Sequence, residues 1–229
     1  MTSLVVIRLA ERLAEVQQRI GRACLEANRD PRTVKLLAVS KFHSVEAIRM
    51  AYALGQREFG ENYAQELVDK AAQLVDLPEL RFRFIGGLQR NKLKLLAPLG
   101  CAVETLSSGA TAQTLSERAL AVGKSIEVML QVNVSGETQK SGVAPAALPG
   151  LVASVRALPG LTLSGLMTIP MADDLDAARA SYRSLRELAQ QHGLAELSMG
   201  MSDDLELAIA EGATRVRVGT AIFGPRPSP

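Results

Sequence analysis

The chain has 229 residues, enough for one well-buried core and close to the roughly 250 typical of an eight-fold βα barrel. Its net charge of +2, spread along the chain, gives no electrostatic reason to expect nucleic acid or an anionic membrane surface as a partner. Two distant cysteines, Cys24 and Cys101, have no CxxC or histidine spacing around them, which argues against a disulfide framework or a metal site and for buried thiols in a reducing, cytoplasmic compartment.

In chain order, Val6, Leu9, Leu13, Val16, Ile20 and Cys24 fall at three- and four-residue steps and predict a long amphipathic helix within residues 1–28. Arg8, Glu11, Arg12 and Glu15 break the apolar start, against a signal peptide, and no apolar run approaches the roughly 18 residues that cross a bilayer. After a turn at Asn28 to Pro31, short β-rich runs alternate with helical patterns. The predicted strands are 35–40, 58–60, 81–85, 102–105, 127–134, 161–167, 196–198 and 215–218. The predicted helices between and after them are 45–54, 64–74, 88–96, 110–122, 146–158, 175–192 and 203–211.

Near-continuous apolar strands such as Leu36-Leu37-Ala38-Val39 suit a parallel sheet covered by helices on its outer face. Eight strands are what a closed barrel needs. The rival, an open doubly wound sheet, lacks a GxGxxG after the first strand and any change of pattern marking a switch point. The expected fold is therefore α/β, a single (β/α)8 TIM barrel with an extra N-terminal helix, one domain over residues 1–229 with a frayed tail at 225–229.

In such a barrel the chemistry sits where the strands end. Lys35 and Lys41 share strand parity, but Lys35 opens the first strand and lies at the barrel bottom, whereas Lys41 closes it at the mouth. A partly desolvated lysine amine loses some preference for the charged form, and the neutral amine is the one that condenses with an aldehyde. A surface lysine with its head in water is the plainer reading of Lys41. The two loops where barrels commonly bind phosphate carry Ser202, Gly219 and Thr220: hydroxyl donors and a glycine that admits close approach. Taken singly, Ser202 reads as a helix cap and Gly219 as a turn.

Several stretches then carry a resemblance: LLAVSK ending at Lys41, FGENYAQE from Phe59, FIGGLQRNK from Phe84, QVNVSGETQKSG from Gln131, GLMTIP from Gly165, SMGMSDDLELAI from Ser198 and RVGTAIFG from Arg217. From about Leu36 to Gly224 the chain resembles the YggS/PROSC family of pyridoxal 5′-phosphate (PLP) homeostasis proteins, whose fold is similar to the barrel domain of alanine racemase. The resemblance implies that Lys41 holds PLP as a Schiff base and that Arg217 faces the pyridine nitrogen. It also implies that Ser202, Gly219 and Thr220 receive the phosphate, and that Asn62, Ile85, Gly86 and Met201 line the ring pocket. An arginine beside that nitrogen leaves it unprotonated, which weakens the ring as an electron sink and favours holding PLP over amino-acid chemistry. Arg215, one rung deeper than Arg217, reads as an ion pair at the barrel bottom.

The expected function is intracellular PLP buffering or delivery without robust catalysis, with PLP-dependent apoenzymes as recipients and a monomeric state. The alternatives are a PLP-dependent racemase or decarboxylase and a phosphate-ligand barrel without PLP. Alanine racemase takes a second base, a tyrosine, from an additional β domain; here Tyr52 and Tyr182 read as helix packing, and Tyr63, beside Asn62, is placed to face the pocket. Lys140 either receives PLP transiently from Lys41 or is solvated, the latter being the preferred reading. The basic segment Arg81, Arg83, Arg90, Lys92 and Lys94 reads as a solvated face and loop. His43 and His192 are too isolated for a metal site or triad, and Asp203 and Asp204 suit a helix start. Arg83 stands where the family commonly has histidine, and Leu106-Ser107-Ser108 where it has Ile-Asp-Arg, which weakens family-based inferences about the pocket rim.

Overall fold

The computed structural model describes residues 2–137, 140–170 and 174–225. Eight parallel strands close into one barrel in sequence order, with β1 pairing both β2 and β8. They are β1 (Lys35–Val39), β2 (Glu58–Glu61), β3 (Arg81–Phe84), β4 (Ala102–Leu106), β5 (Ile126–Gln131), β6 (Leu161–Met167), β7 (Glu196–Ser198) and β8 (Arg215–Val218). The helices are α1 (Thr2–Glu26), α2 (Val45–Ala53), α3 (Ala64–Gln73), α4 (Leu93–Leu96), α5 (Gly109–Ala121), α6 (Leu148–Arg156), α7 (Leu175–Gln191), α8 (Leu205–Ala210) and α9 (Thr220–Phe223). The expected barrel with an extra N-terminal helix is the observed one. Two elements differ from expectation. The fifth strand stops at Gln131 and leaves 132–134 as loop, and the 88–96 helix shrinks from its N-terminal side to α4, between two single 3₁₀ turns. The tail beyond Pro225 lies outside the described residues.

The apolar face of α1 buries Leu9, Leu13, Val16, Ile20 and Cys24. Its polar side anchors it, Arg19 donating to the Glu206 carboxylate at 2.7 Å and to the Ser202 carbonyl at 2.8 Å; in the loop just after the helix, Arg29 donates to the Ile209 carbonyl at 2.7 Å. The extra helix thus holds the loop and helix that follow β7.

Inside the barrel the lower layer is ionic where branched aliphatics usually dominate. Arg83 contacts Glu58 at 3.0 Å, Glu127 at 3.0 Å and Glu104 at 3.3 Å. Arg215 contacts Glu58 at 3.0 Å, Glu196 at 3.2 Å and Glu104 at 3.7 Å, and Lys35 reaches Glu196 at 3.4 Å. The expected ion-pair role of Arg215 is borne out. Arg83 corrects the reading of its segment as a solvated face: it is 6% exposed and sits inside the barrel bottom, outside the lining of the mouth pocket, whereas Arg81, Arg90, Lys92 and Lys94 are exposed. Position along the chain explains the split: Arg81 shares the parity of Arg83 but opens β3 at the barrel's edge, Arg83 lies one rung further in, and Arg90, Lys92 and Lys94 follow the strand.

Burial pushes the Glu58 carboxyl up, but the Arg215 and Arg83 guanidiniums outweigh it and hold the group below the usual carboxylate range. Glu127 follows the same balance of burial against Arg83 and Ser164. A carboxyl depressed on folding adds stability above its unfolded value, near 4, and loses it as pH falls through the lower folded value. The melting temperature is therefore expected to drop as pH is taken below about 4. Arg215→Met removes one cation from Glu58, Glu104 and Glu196 and leaves them only Arg83 and Lys35, so its denaturant titration at neutral pH should show a loss of about 3 kcal/mol.

Candidate functional site

The mouth of the barrel holds a pocket of about 420 Å³ lined by Val39, Lys41, Asn62, Ile85, Met167, Ile169, Met201, Ser202, Asp203, Arg217, Gly219 and Thr220. That volume falls in the range of small-molecule sites. Eight of the nine residues expected from the sequence meet here: Lys41, Asn62, Ile85, Met201, Ser202, Arg217, Gly219 and Thr220. The ninth, Gly86, lines an adjoining pocket of about 340 Å³ that shares Asn62, Ile85 and Ile169 with the first. Its role is spatial: a Cβ there would land on the Asn62 carbonyl, and its own carbonyl accepts from Thr105 Oγ1 at 2.6 Å. Gly86 thus lets the ends of β2 and β3 close up beside the first pocket.

Strand register delivers the site. Leu37 on β1 is level with Arg217 on β8, so Val39 and Lys41 stand above Arg217 on the inward face. Arg217 is 5% exposed, with one guanidinium nitrogen donating to Ser198 Oγ at 3.0 Å and the other to the Thr168 carbonyl at 2.8 Å. Ser198 Oγ in turn donates to Glu104 Oε2 at 2.6 Å, and the other oxygen of Glu104 faces Arg83 and Arg215. Burial lowers the Arg217 guanidinium below the usual arginine range and the Glu104 carboxylate opposes this; a guanidinium starts high enough to keep its charge at neutral pH. Ser198, Thr168 and Glu104 were not singled out from the sequence. A glutamate inside a short strand that also carries Ala102, Val103 and Leu106 was the available sign, since a buried charge requires a partner.

The far side of the pocket is the loop from Gly200 to Asp204. Gly200 has φ +89°, a backbone conformation that suits glycine, and a Cβ there would strike Ala208. Asp204 occupies the first position before α8, but its side chain makes no cap bond; it accepts from the Met201 amide and from the Tyr182 hydroxyl, both at 2.6 Å. The reading of Ser202 as a helix cap is thereby corrected, and Tyr182 does more than pack: burial and Asp204 push its hydroxyl well above the usual tyrosine range, so it stays a donor. Gly219 sits where a Cβ would crowd the Val39 carbonyl at 3.3 Å, and Thr220 opens the short helix α9.

The remaining candidates lie elsewhere. Tyr63 is 51% exposed, its ring 5.1 Å from that of Phe42 and outside the pocket lining. Tyr52 lies under the Arg57 guanidinium at 4.1 Å. His43 stacks on Phe223 at 4.9 Å, and the His192 carbonyl accepts from Arg156. Lys140 lines the adjoining pocket and pairs with Glu137 at 2.7 Å, so it is only partly solvated. Among the described residues, no group of three His, Cys, Asp or Glu side chains is placed to hold a metal, and no helix is long and apolar enough to cross a membrane.

Residues 12–227 match the family model of the alanine racemase N-terminal domain. A pyridoxal phosphate homeostasis protein of Pseudomonas aeruginosa is 51% identical over 221 residues, covering 95% of this chain and 96% of its own. Among solved structures, PipY of Synechococcus elongatus with PLP bound superposes with a TM-score of 0.82 at 38% identity, over 95% of this chain and 100% of that one. Alanine racemase of Corynebacterium glutamicum, at 21% identity and a TM-score of 0.73, shares the fold, and this chain spans 62% of its length. The relatives with matching length carry the name of homeostasis proteins, not of enzymes. This chain belongs to the family of pyridoxal phosphate homeostasis proteins, built on the alanine racemase N-terminal-domain barrel.

Proposed function

We propose that this chain is a cytoplasmic carrier that binds PLP at the barrel mouth, holds it covalently on Lys41, and buffers it or delivers it to PLP-dependent apoenzymes without robust turnover. The whole barrel with its leading helix acts as one domain and one monomeric carrier. The observation that carries this reading is the convergence on one pocket of a lysine, a buried arginine and the Ser202, Gly219 and Thr220 cluster from the two loops after β7 and β8. The residues suit the cofactor: an amine for its aldehyde, a cation for its ring nitrogen, hydroxyls for its phosphate, and Ile85, Met167, Ile169 and Met201 for the ring.

PLP, when bound, supplies an aldehyde that amines attack and a ring able to take up electron density. Lys41 would supply the amine that condenses with that aldehyde, releasing water. Arg217, held by Ser198 and Thr168, would offer an N–H to the ring nitrogen and, remaining charged, would leave that nitrogen unprotonated. That arrangement favours retention over carbanion chemistry. The tyrosines support the same reading: Tyr182 is committed to Asp204 and Tyr63 points outward onto Phe42, so neither stands opposite Lys41 as a second base.

Borohydride reduction of the PLP-loaded protein followed by peptide mapping should place the adduct on Lys41; its absence there would refute the assignment. Incubation of the loaded protein with a panel of amino acids should give no sustained turnover, and robust racemisation or decarboxylation would overturn the carrier reading. The double variant Ser202→Ala, Thr220→Ala removes two hydroxyl donors to a charged group and is expected to raise the PLP dissociation constant by at least about tenfold in equilibrium dialysis. An unchanged constant removes both from the phosphate site.

A further inference from the structure

The turn that carries Lys41 is gripped from behind by a buried charged cluster. Ser40 follows β1 fully buried, and its hydroxyl donates to Glu61 Oε1 at 2.6 Å. Lys70, on α3 and 5% exposed, donates to Glu61 Oε1, to Glu66 Oε1 and to the Ser40 carbonyl, each at 2.7 Å. An ammonium has three protons, and all three are used. Glu66 Oε1 also accepts from the Phe42 amide at 2.6 Å. The carbonyl before Lys41 and the amide after it are thus both tied to the same lysine–glutamate pair.

Phe42 has φ +66°, one of two non-glycine residues in the left-handed region among those described. A bulky side chain adopts that conformation only where its surroundings enforce it. Here the enforcement is visible: Glu66 holds the Phe42 amide, and the Phe42 ring is turned outward onto Tyr63 while Lys41 lines the pocket. A relaxed turn after β1 would not require the buried Glu61 and Lys70 and the half-buried Glu66, charged groups whose desolvation is costly unless each is paired.

We infer that Lys70, Glu61 and Glu66 form a positioning clamp that fixes the Ser40–Lys41–Phe42 turn so that the Lys41 amine is aimed at the ligand aldehyde. This rests on the reading of Lys41 as the attachment point. The clamp governs how fast the covalent bond forms; the ring and phosphate contacts, on other strands, govern how tightly the ligand sits. Preorganisation of this kind acts on attachment and leaves non-covalent affinity alone.

The test compares Glu66→Ala with Glu66→Gln, since the amide oxygen of glutamine still accepts from the Phe42 N–H. Two ligands are used: PLP, with attachment followed by its absorbance change and by borohydride trapping, and pyridoxine 5′-phosphate, which keeps the ring and phosphate but has an alcohol in place of the aldehyde. Glu66→Ala should slow attachment at Lys41 about tenfold or more, with affinity for pyridoxine 5′-phosphate within about twofold of the wild type, and Glu66→Gln should restore most of the rate. Attachment by Glu66→Ala at the wild-type rate overturns the clamp. So does an equal loss for both ligands, which marks general damage to the pocket, or a Gln variant no better than the Ala variant. Failure of the wild-type protein itself to give a Lys41 adduct instead refutes the attachment assignment.

Discussion

The pairing of Arg217 with Ser198 and, through it, with Glu104 is the contact on which the rest of the site hangs. A guanidinium buried this deeply is tolerable only if its charge is answered and its donors are filled. Glu104 answers it, and Glu104 in turn faces Arg83 and Arg215. The result is a column of charge through the barrel in which Glu58, Glu104, Glu127 and Glu196 offset Lys35, Arg83, Arg215 and Arg217. The column makes the barrel bottom a structural support for one arginine at the top.

The mouth is organised by a second principle: each functional loop is tied down by an element outside it. Arg19 of α1 and Tyr182 of α7 hold the segment from Met201 to Asp204, and Lys70 of α3 holds the turn at Lys41. A binding residue on a loop is only as well placed as the packing behind it. The leading helix, an addition to the bare eight-fold repeat, contributes to the site in this way.

Tyr182 is held by Asp204 and Tyr63 lies on Phe42, while Arg217 and Lys41 share the lining of the mouth pocket. The racemase with the same barrel is longer than this chain, which spans 62% of it, and the fold therefore does not by itself decide between turnover and storage. What decides is which side chains line the pocket.

Much of this was legible in the sequence. The alternation of short apolar runs with helical stretches determined eight strands, with β6, β7 and β8 bounded as expected, because period-two and period-3.6 burial leave local marks. The position of Lys41 at the end of β1 and the hydroxyl and glycine pattern after β7 and β8 were local marks as well. What the sequence did not disclose were the partnerships: Glu104 with Arg217 by way of Ser198, Arg83 inside the barrel, and Lys70 and Glu66 across to the Ser40–Phe42 turn. Residues separated in the chain by 94 positions, as Glu104 and Ser198 are, meet only once the barrel closes. Whether a charged side chain is solvated or buried depends on that closure, so tertiary structure alone decided which cations serve the site.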